Sequence, residues 1–214
     1  MLISARTRTF GGIDFPEGFF DRADESPDAT FYEPLRLVTH IDERAIAAVG
    51  ALYDELGIDG EVLDLMSSWV SHFVSAPTRL TVLGMNAAEL DANDQAAVRV
   101  VHDLNAEPRL PFSDASFDAV VCCVSVDYLV RPIEVFAEVG RVLRPSGPFV
   151  CTFSNRLFPT KAIRGWLATD DRAHCAIVAA YFDQAGGFDE PRAELRTSLA
   201  QRGDPLYTVW ACRT

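Results

Sequence analysis

The chain has 214 residues, 49% of them hydrophobic, and a formal net charge of −12. That length suits one α/β domain with an extension. The acidic balance argues against a nucleic-acid partner, which requires a basic face to neutralise phosphate, and against an anionic membrane surface.

The five cysteines form no CxxC pair, and no His/Cys/carboxylate cluster has ligand spacing. Reduced, buried thiols in a cytoplasmic protein are expected, and a metal site is not. The opening MLISARTRTF lacks the apolar core of a signal peptide, and no apolar run approaches the roughly 20 residues that span a bilayer.

Residues 1–38 read as irregular, with acidic residues among aromatics, and are expected to pack on a domain spanning 39–214. A helix is expected from about Thr39, where Thr39 and Asp42 resemble a capping box, to Gly57. Strands follow at 61–65, 80–84, 98–102, 118–124 and 148–153. Their uniformly apolar runs suit strands buried on both faces of a parallel sheet. A helix at 132–143 has Pro132 in its first turn and stops at Arg144-Pro145-Ser146-Gly147. A second covers 171–185, and two last strands lie at 192–198 and 206–212. Alternating strands and helices make a doubly wound α/β sheet.

Ligands of such sheets bind at the carboxyl ends of the strands, where strand order reverses. The first strand ends at Asp64-Leu65, so the segment from Met66 to His72 should lie there. Its run, EVLDLMSSWV over 61–70, has the strand and the acid of a nucleotide-binding opening but none of the glycines. The second strand reads Leu80-Thr81-Val82-Leu83-Gly84-Met85-Asn86. Asn86 stands where a ribose-binding carboxylate is expected; an amide still bonds a hydroxyl but loses the charge-assisted contribution. Asp103, in His102-Asp103-Leu104-Asn105, either accepts from an exocyclic amino group or caps the next turn.

The most specific segments are LPFSDASFDAVV over 110–121 and EVGRVLRPSGPFV over 138–150. Here the chain resembles the class I S-adenosylmethionine-dependent methyltransferases of the small-molecule type, over residues 40–214. The resemblance implies a mostly parallel seven-stranded sheet in the order 3-2-1-4-5-7-6 with the last strand antiparallel. It also implies S-adenosyl-L-methionine as cofactor and a small-molecule substrate. The three loop glycines of that family fall on Met66, Ser68 and Val70. Met66 must then direct its side chain away from the cofactor, and Val70 is expected to begin a helix capped by Ser67 or Ser68.

The implied cofactor site comprises Asp64, Met66, Ser67, Ser68, Met85, Asn86, Asp103, Leu104 and Ser125, with Tyr32 closing over it. The catalytic candidates are weaker. Asp127 either accepts a proton from the acceptor or caps a helix, Tyr128 either walls the pocket or packs, and His72 is the histidine nearest the site. Arg156 and Lys161 hint at an anionic substrate group, or mark a solvated helix end. Restoring Met66→Gly and Asn86→Asp together is expected to tighten cofactor binding. The alternative to an enzyme is a catalytically silent protein of the same fold that binds a ligand or a partner.

Overall fold

The computed structural model describes residues 14–198, 200 and 202–214. In chain order the elements are α1 (Asp28–Tyr32), α2 (Glu43–Glu55), β1 (Glu61–Leu65), β2 (Arg79–Gly84), α3 (Ala87–Ala92), β3 (Val98–Val101), β4 (Ala119–Cys123), a 3₁₀ turn (Val126–Tyr128), α4 (Pro132–Val142), β5 (Pro148–Phe153), α5 (Arg164–Leu167), α6 (Asp171–Ala185), β6 (Arg192–Leu195) and β7 (Tyr207–Cys212). Among the described residues no helix is long and apolar enough to cross a membrane.

The strands form one sheet in the order β3-β2-β1-β4-β5-β7-β6, as the resemblance implies. The ladders from β3 to β5 are parallel, and β7 runs antiparallel to both β5 and β6. Successive side chains on a strand point to opposite faces, and here both faces are apolar. On one side Leu63, Leu65, Val120, Cys122 and Phe149 pack with Phe136 and Val139 of α4 and Val178 and Phe182 of α6. On the other, Val62, Val82, Val121 and Val150 pack with Ala45, Val49, Leu52 and Tyr53 of α2. These continuous apolar runs are why the strands could be placed closely from sequence.

Two local expectations are corrected. Asp42, not Thr39, caps α2: its backbone is extended and its carboxylate accepts from the Ala45 N–H at 2.8 Å. And no helix begins at Val70. Residues 66–78 cross from β1 to β2 without a helical turn, because other parts of the chain satisfy their polar groups. Asn93 Nδ2 donates to the Ser68 carbonyl and Ser71 Oγ, Gln95 Nε2 to the Phe73 carbonyl, and Trp69 Nε1 to the Val38 carbonyl. Phe73 then covers the sheet face in place of a helix, with its ring 4.7 Å from that of Tyr53.

Residues 14–36 pack on the domain by two means. Phe15, Phe19 and Phe20 form an aromatic cluster, with Phe15 5.4 Å from Tyr181 of α6. Lys161 supplies the other. It is fully buried, so it serves neither of the roles expected of it, a substrate handle or a solvated helix end. Its Nζ lies 3.1 Å from Asp28 and 3.2 Å from Asp24 and donates to the Ser26 carbonyl at 2.7 Å. Asp28 also accepts from Arg22 at 2.7 and 2.9 Å and from Asn105 at 2.8 Å. Burial opposes its charge, but these three donors hold its carboxyl below the usual range. Removing one member of a buried ion network leaves an uncompensated charge. Lys161→Ala is therefore expected to lower stability by about 3 kcal/mol, read by urea unfolding, and to expose residues 14–36 to limited proteolysis.

Candidate functional site

The strand order reverses between β1 and β4. At the carboxyl ends of β1, β2 and β4 lies a cavity of about 520 Å³, in the size range of small-molecule sites. The strand ends and the 66–72 segment form its floor, and residues 28–40 its roof.

Three non-glycine residues on its lining have left-handed backbones: Met66 at φ 56°, His72 at φ 58° and Val124 at φ 45°. Left-handed backbone is unfavourable for residues with a Cβ, most of all for a β-branched valine. Such outliers concentrate where a site needs a particular backbone path. Met66, at the first of the three glycine-equivalent positions, thus keeps a glycine-like conformation. Its side chain packs against the core beneath the sheet end, so the cavity stays open. Gly84 is essential opposite it: a Cβ there would stand 2.2 Å from the Ser67 carbonyl oxygen, which lies flat on the end of β2.

Each residue expected at the site can now be placed. Asp64 is buried and lines the cavity. Burial pushes its carboxyl up to about 6, against hydrogen bonds from the Ser67 and Ser71 hydroxyls; the Ser67 bond is 2.6 Å. Ser68 lines the cavity and donates to Glu89 Oε2 at 2.6 Å. Met85 and Leu104 contribute to the walls. Asp103 lines the cavity while one of its oxygens accepts from the Asn105 and Ala106 N–H groups, so it caps the turn as well. Ser125 Oγ donates to the Cys123 carbonyl at 2.9 Å. Tyr128 is both wall and packing group: its hydroxyl accepts from the Phe158 N–H at 2.9 Å. Tyr32 and His72 are also on the lining.

Two placements run against expectation. The Asn86 carboxamide is already committed. Its Oδ1 accepts from the Ala88 and Glu89 N–H groups as the N-cap of α3, and its Nδ2 donates to the Tyr32 and Glu33 carbonyls at 2.9 and 3.1 Å. Asn86 therefore latches the roof instead of presenting a ribose-binding group, and an aspartate there would face two carbonyl oxygens without a proton to give. Asp127 is buried away from the cavity lining and caps no α-helix, and its Oδ2 has no hydrogen-bond partner among the described residues. Burial pushes its carboxyl up to about 8.

The residue that sequence reasoning passed over is Glu89. It lines the cavity near Asn86, largely buried, and its Oε1 accepts the Arg36 N–H at 2.8 Å. The signal was present: Asn86 and Glu89 have the spacing of a capping box, which marks a helix start with its acid on the first turn.

A family model described as methyltransferase domain matches residues 68–151. Malonyl-[acyl-carrier protein] O-methyltransferase of Marinomonas sp. (strain MWYL1) is 23% identical over 161 residues; the match covers 72% of this chain, and the chain spans 57% of that protein. Among solved structures, a SAM-dependent methyltransferase from Aquifex aeolicus superposes with TM-score 0.58 at 14% identity, covering 86% of this chain and 96% of that one. The putative methyltransferase solved with the Haloferax volcanii Trm112 methyltransferase activator gives 0.55 at 16% identity, with 81% and 88% covered. Geranyl diphosphate C-methyltransferase from Streptomyces coelicolor, solved with S-adenosyl-L-homocysteine, gives 0.53 at 16% identity, with 78% and 77% covered.

Asp127 gives a test of the burial argument. Its folded-state pKa lies above the unfolded value near 4. Below both values it adds nothing, and as pH rises from about 4 to 8 its carboxyl ionises in the unfolded chain first, so stability falls over that window. Asp127→Asn removes the proton equilibrium with little change of shape. It is expected to match the wild type near pH 4 and to exceed it by at least about 1 kcal/mol at pH 8, measured as urea midpoints across pH.

Proposed function

We propose that this chain, which has the fold of the class I S-adenosylmethionine-dependent methyltransferases, binds S-adenosyl-L-methionine in the cavity and passes its methyl group directly to a small molecule. The observation that carries this reading is the open cavity at the strand-order reversal, kept by a glycine-like backbone at Met66 although all three loop glycines are replaced.

The lining suits the group. Leu83, Leu104 and Val124 offer apolar walls beside the polar edge of Asp103, as a purine requires. Glu89 offers a carboxylate beside the Ser68 hydroxyl for sugar hydroxyls, and Asp64 with Ser67 lies near Met66 at the end of β1. When bound, the cofactor supplies an electrophilic methyl on a sulfonium.

The protein's own part is positioning. Glu89 fixes the sugar, Met66 and Gly84 set the floor, Tyr128 and Ser125 bound the space left for the acceptor, and residues 28–40 exclude water. Holding two reactants in line accounts for a large share of such a barrier, so no acid–base pair is required of Asp127. A small acceptor is favoured by the roof, which is fastened to the floor at Asn86, Glu89 and Trp69 over a cavity of about 520 Å³.

Calorimetric titration is expected to give micromolar dissociation constants for S-adenosylmethionine and S-adenosylhomocysteine. Glu89→Gln is expected to weaken both about tenfold. Asn86→Asp is expected to weaken them too, because it releases the roof, so the tightening expected from sequence for that substitution is reversed. Absence of heat at millimolar ligand with a folded protein excludes the reading.

A further inference from the structure

The acceptor side of the same cavity has a charge pattern at odds with the rest of the molecule. On a chain of net charge −12, two guanidinium groups and an imidazole, from Arg36, Arg156 and His40, gather on one stretch of the lining around Phe158. The Arg36 guanidinium lies over the Phe31 ring at 4.9 Å and the Phe158 ring at 5.7 Å, and among the described residues it donates to the Pro34 and Phe31 carbonyls. The His40 ring meets Phe158 edge-on at 5.2 Å. Arg156 is exposed to the cavity and, among the described residues, has no hydrogen-bond or ion-pair partner. Among the described residues neither arginine pairs with a carboxylate, although carboxylates outnumber cations in this chain. Glu89, whose charge reaches His40, accepts from the Ser68 hydroxyl and the Arg36 backbone N–H and pairs with neither guanidinium among the described residues.

We infer that the acceptor is anchored by an anionic group, a carboxylate or a phosphate, held by Arg36 and Arg156 beside His40 on the Phe158 wall. This rests on the methyltransferase reading of the same cavity and adds the substrate class to it. Planar guanidinium groups match the oxygens of carboxylate and phosphate, two bonds at a time. Seating Arg36 on two rings holds one such group in place before any ligand arrives. The anion serves as a handle and not as the methylated atom, since two cations on it would withdraw the electrons a nucleophile must offer. His40 reports on the arrangement. Packing around it, and then the charges of Arg36 and Arg156, hold its pKa below the usual imidazole value, while Glu89 acts the other way. A bound anion would offset the two arginines and raise it.

The test titrates the full chain, with and without saturating S-adenosylhomocysteine, against benzoate, phenyl phosphate and neutral benzamide, whose ring suits the Phe158 and Tyr128 wall. At least one acid is expected to bind ten times more tightly than benzamide and to raise the His40 pKa followed by NMR. Arg156→Gln is expected to abolish that preference. Arg172→Gln, which removes the same charge from an exposed position in the first turn of α6, is expected to keep it. Benzoate against phenyl phosphate separates the two anion types. The inference is overturned if neither acid outbinds benzamide, if Arg156→Gln retains the preference, or if Arg172→Gln loses it equally. An Arg156-dependent preference in a protein that does not bind S-adenosylhomocysteine keeps the anion site and removes the methyltransferase reading. Binding of S-adenosylhomocysteine without any acid preference does the reverse.

Discussion

Lys161 is completely shut off from water, and its charge must be met from inside. An isolated buried ammonium costs many kcal/mol, so it persists only where anions and carbonyls surround it. Asp28, Asp24 and the Ser26 carbonyl do so, and all three come from the segment before α2. One charge after β5 thereby fixes the course of residues 24–28, and with it where residues 31–40 can run. The roof of the cavity, the positions of Tyr32, Arg36 and His40, and the Asn86 latch follow from that constraint. Asn105 carries it further, linking Asp28 to the turns after β3 and β4 through the Tyr128 carbonyl and the Val130 N–H.

The floor shows how a backbone path can outlast the residues that usually allow it. A turn directly after β1 needs a left-handed residue, and glycine takes that conformation at least cost. Met66 takes it here at a steric cost of about 1–2 kcal/mol, offset by packing its side chain on the core. The following segment gives up its helix, and Asn93 and Gln95, just after α3, donate to its Ser68 and Phe73 carbonyls. The same exchange moves the carboxylate: Asn86 becomes a cap and a latch, and Glu89, one turn further on, presents the acid.

The legible parts of this chain were those set by short-range physics. The strands β1, β2, β4 and β5 and helices α4 and α6 lie within a residue or so of where apolar runs, Pro132 and the Gly186-Gly187 stop put them, because burial on both faces of the strands leaves a pattern that no loop imitates. The short helices α1, α3 and α5 left no such pattern at four to six residues each. The missing helix after β1 could not be read either. Val70, Phe73 and Val74 suit a helix as well as a loop, and Asn93 and Gln95 decide between them from some 20 residues away. Lys161 illustrates the same limit: a lone lysine among arginines reads as a surface charge until its partners arrive from residues 24–28.

By itself the sequence determined the strands and the place of a site at the end of β1, because periodicity and turn chemistry are local; the order of the sheet came from the family resemblance that the LPFSDASFD and RVLRPSG segments carry. Only the tertiary structure decided which side chains face that site. It turned Asn86 toward the roof and Glu89 toward the cavity, buried Lys161 and Asp127, and left Arg156 free beside Arg36 and His40. Those outcomes depend on which distant groups compete for the same hydrogen bonds and charges, and no local pattern encodes that competition.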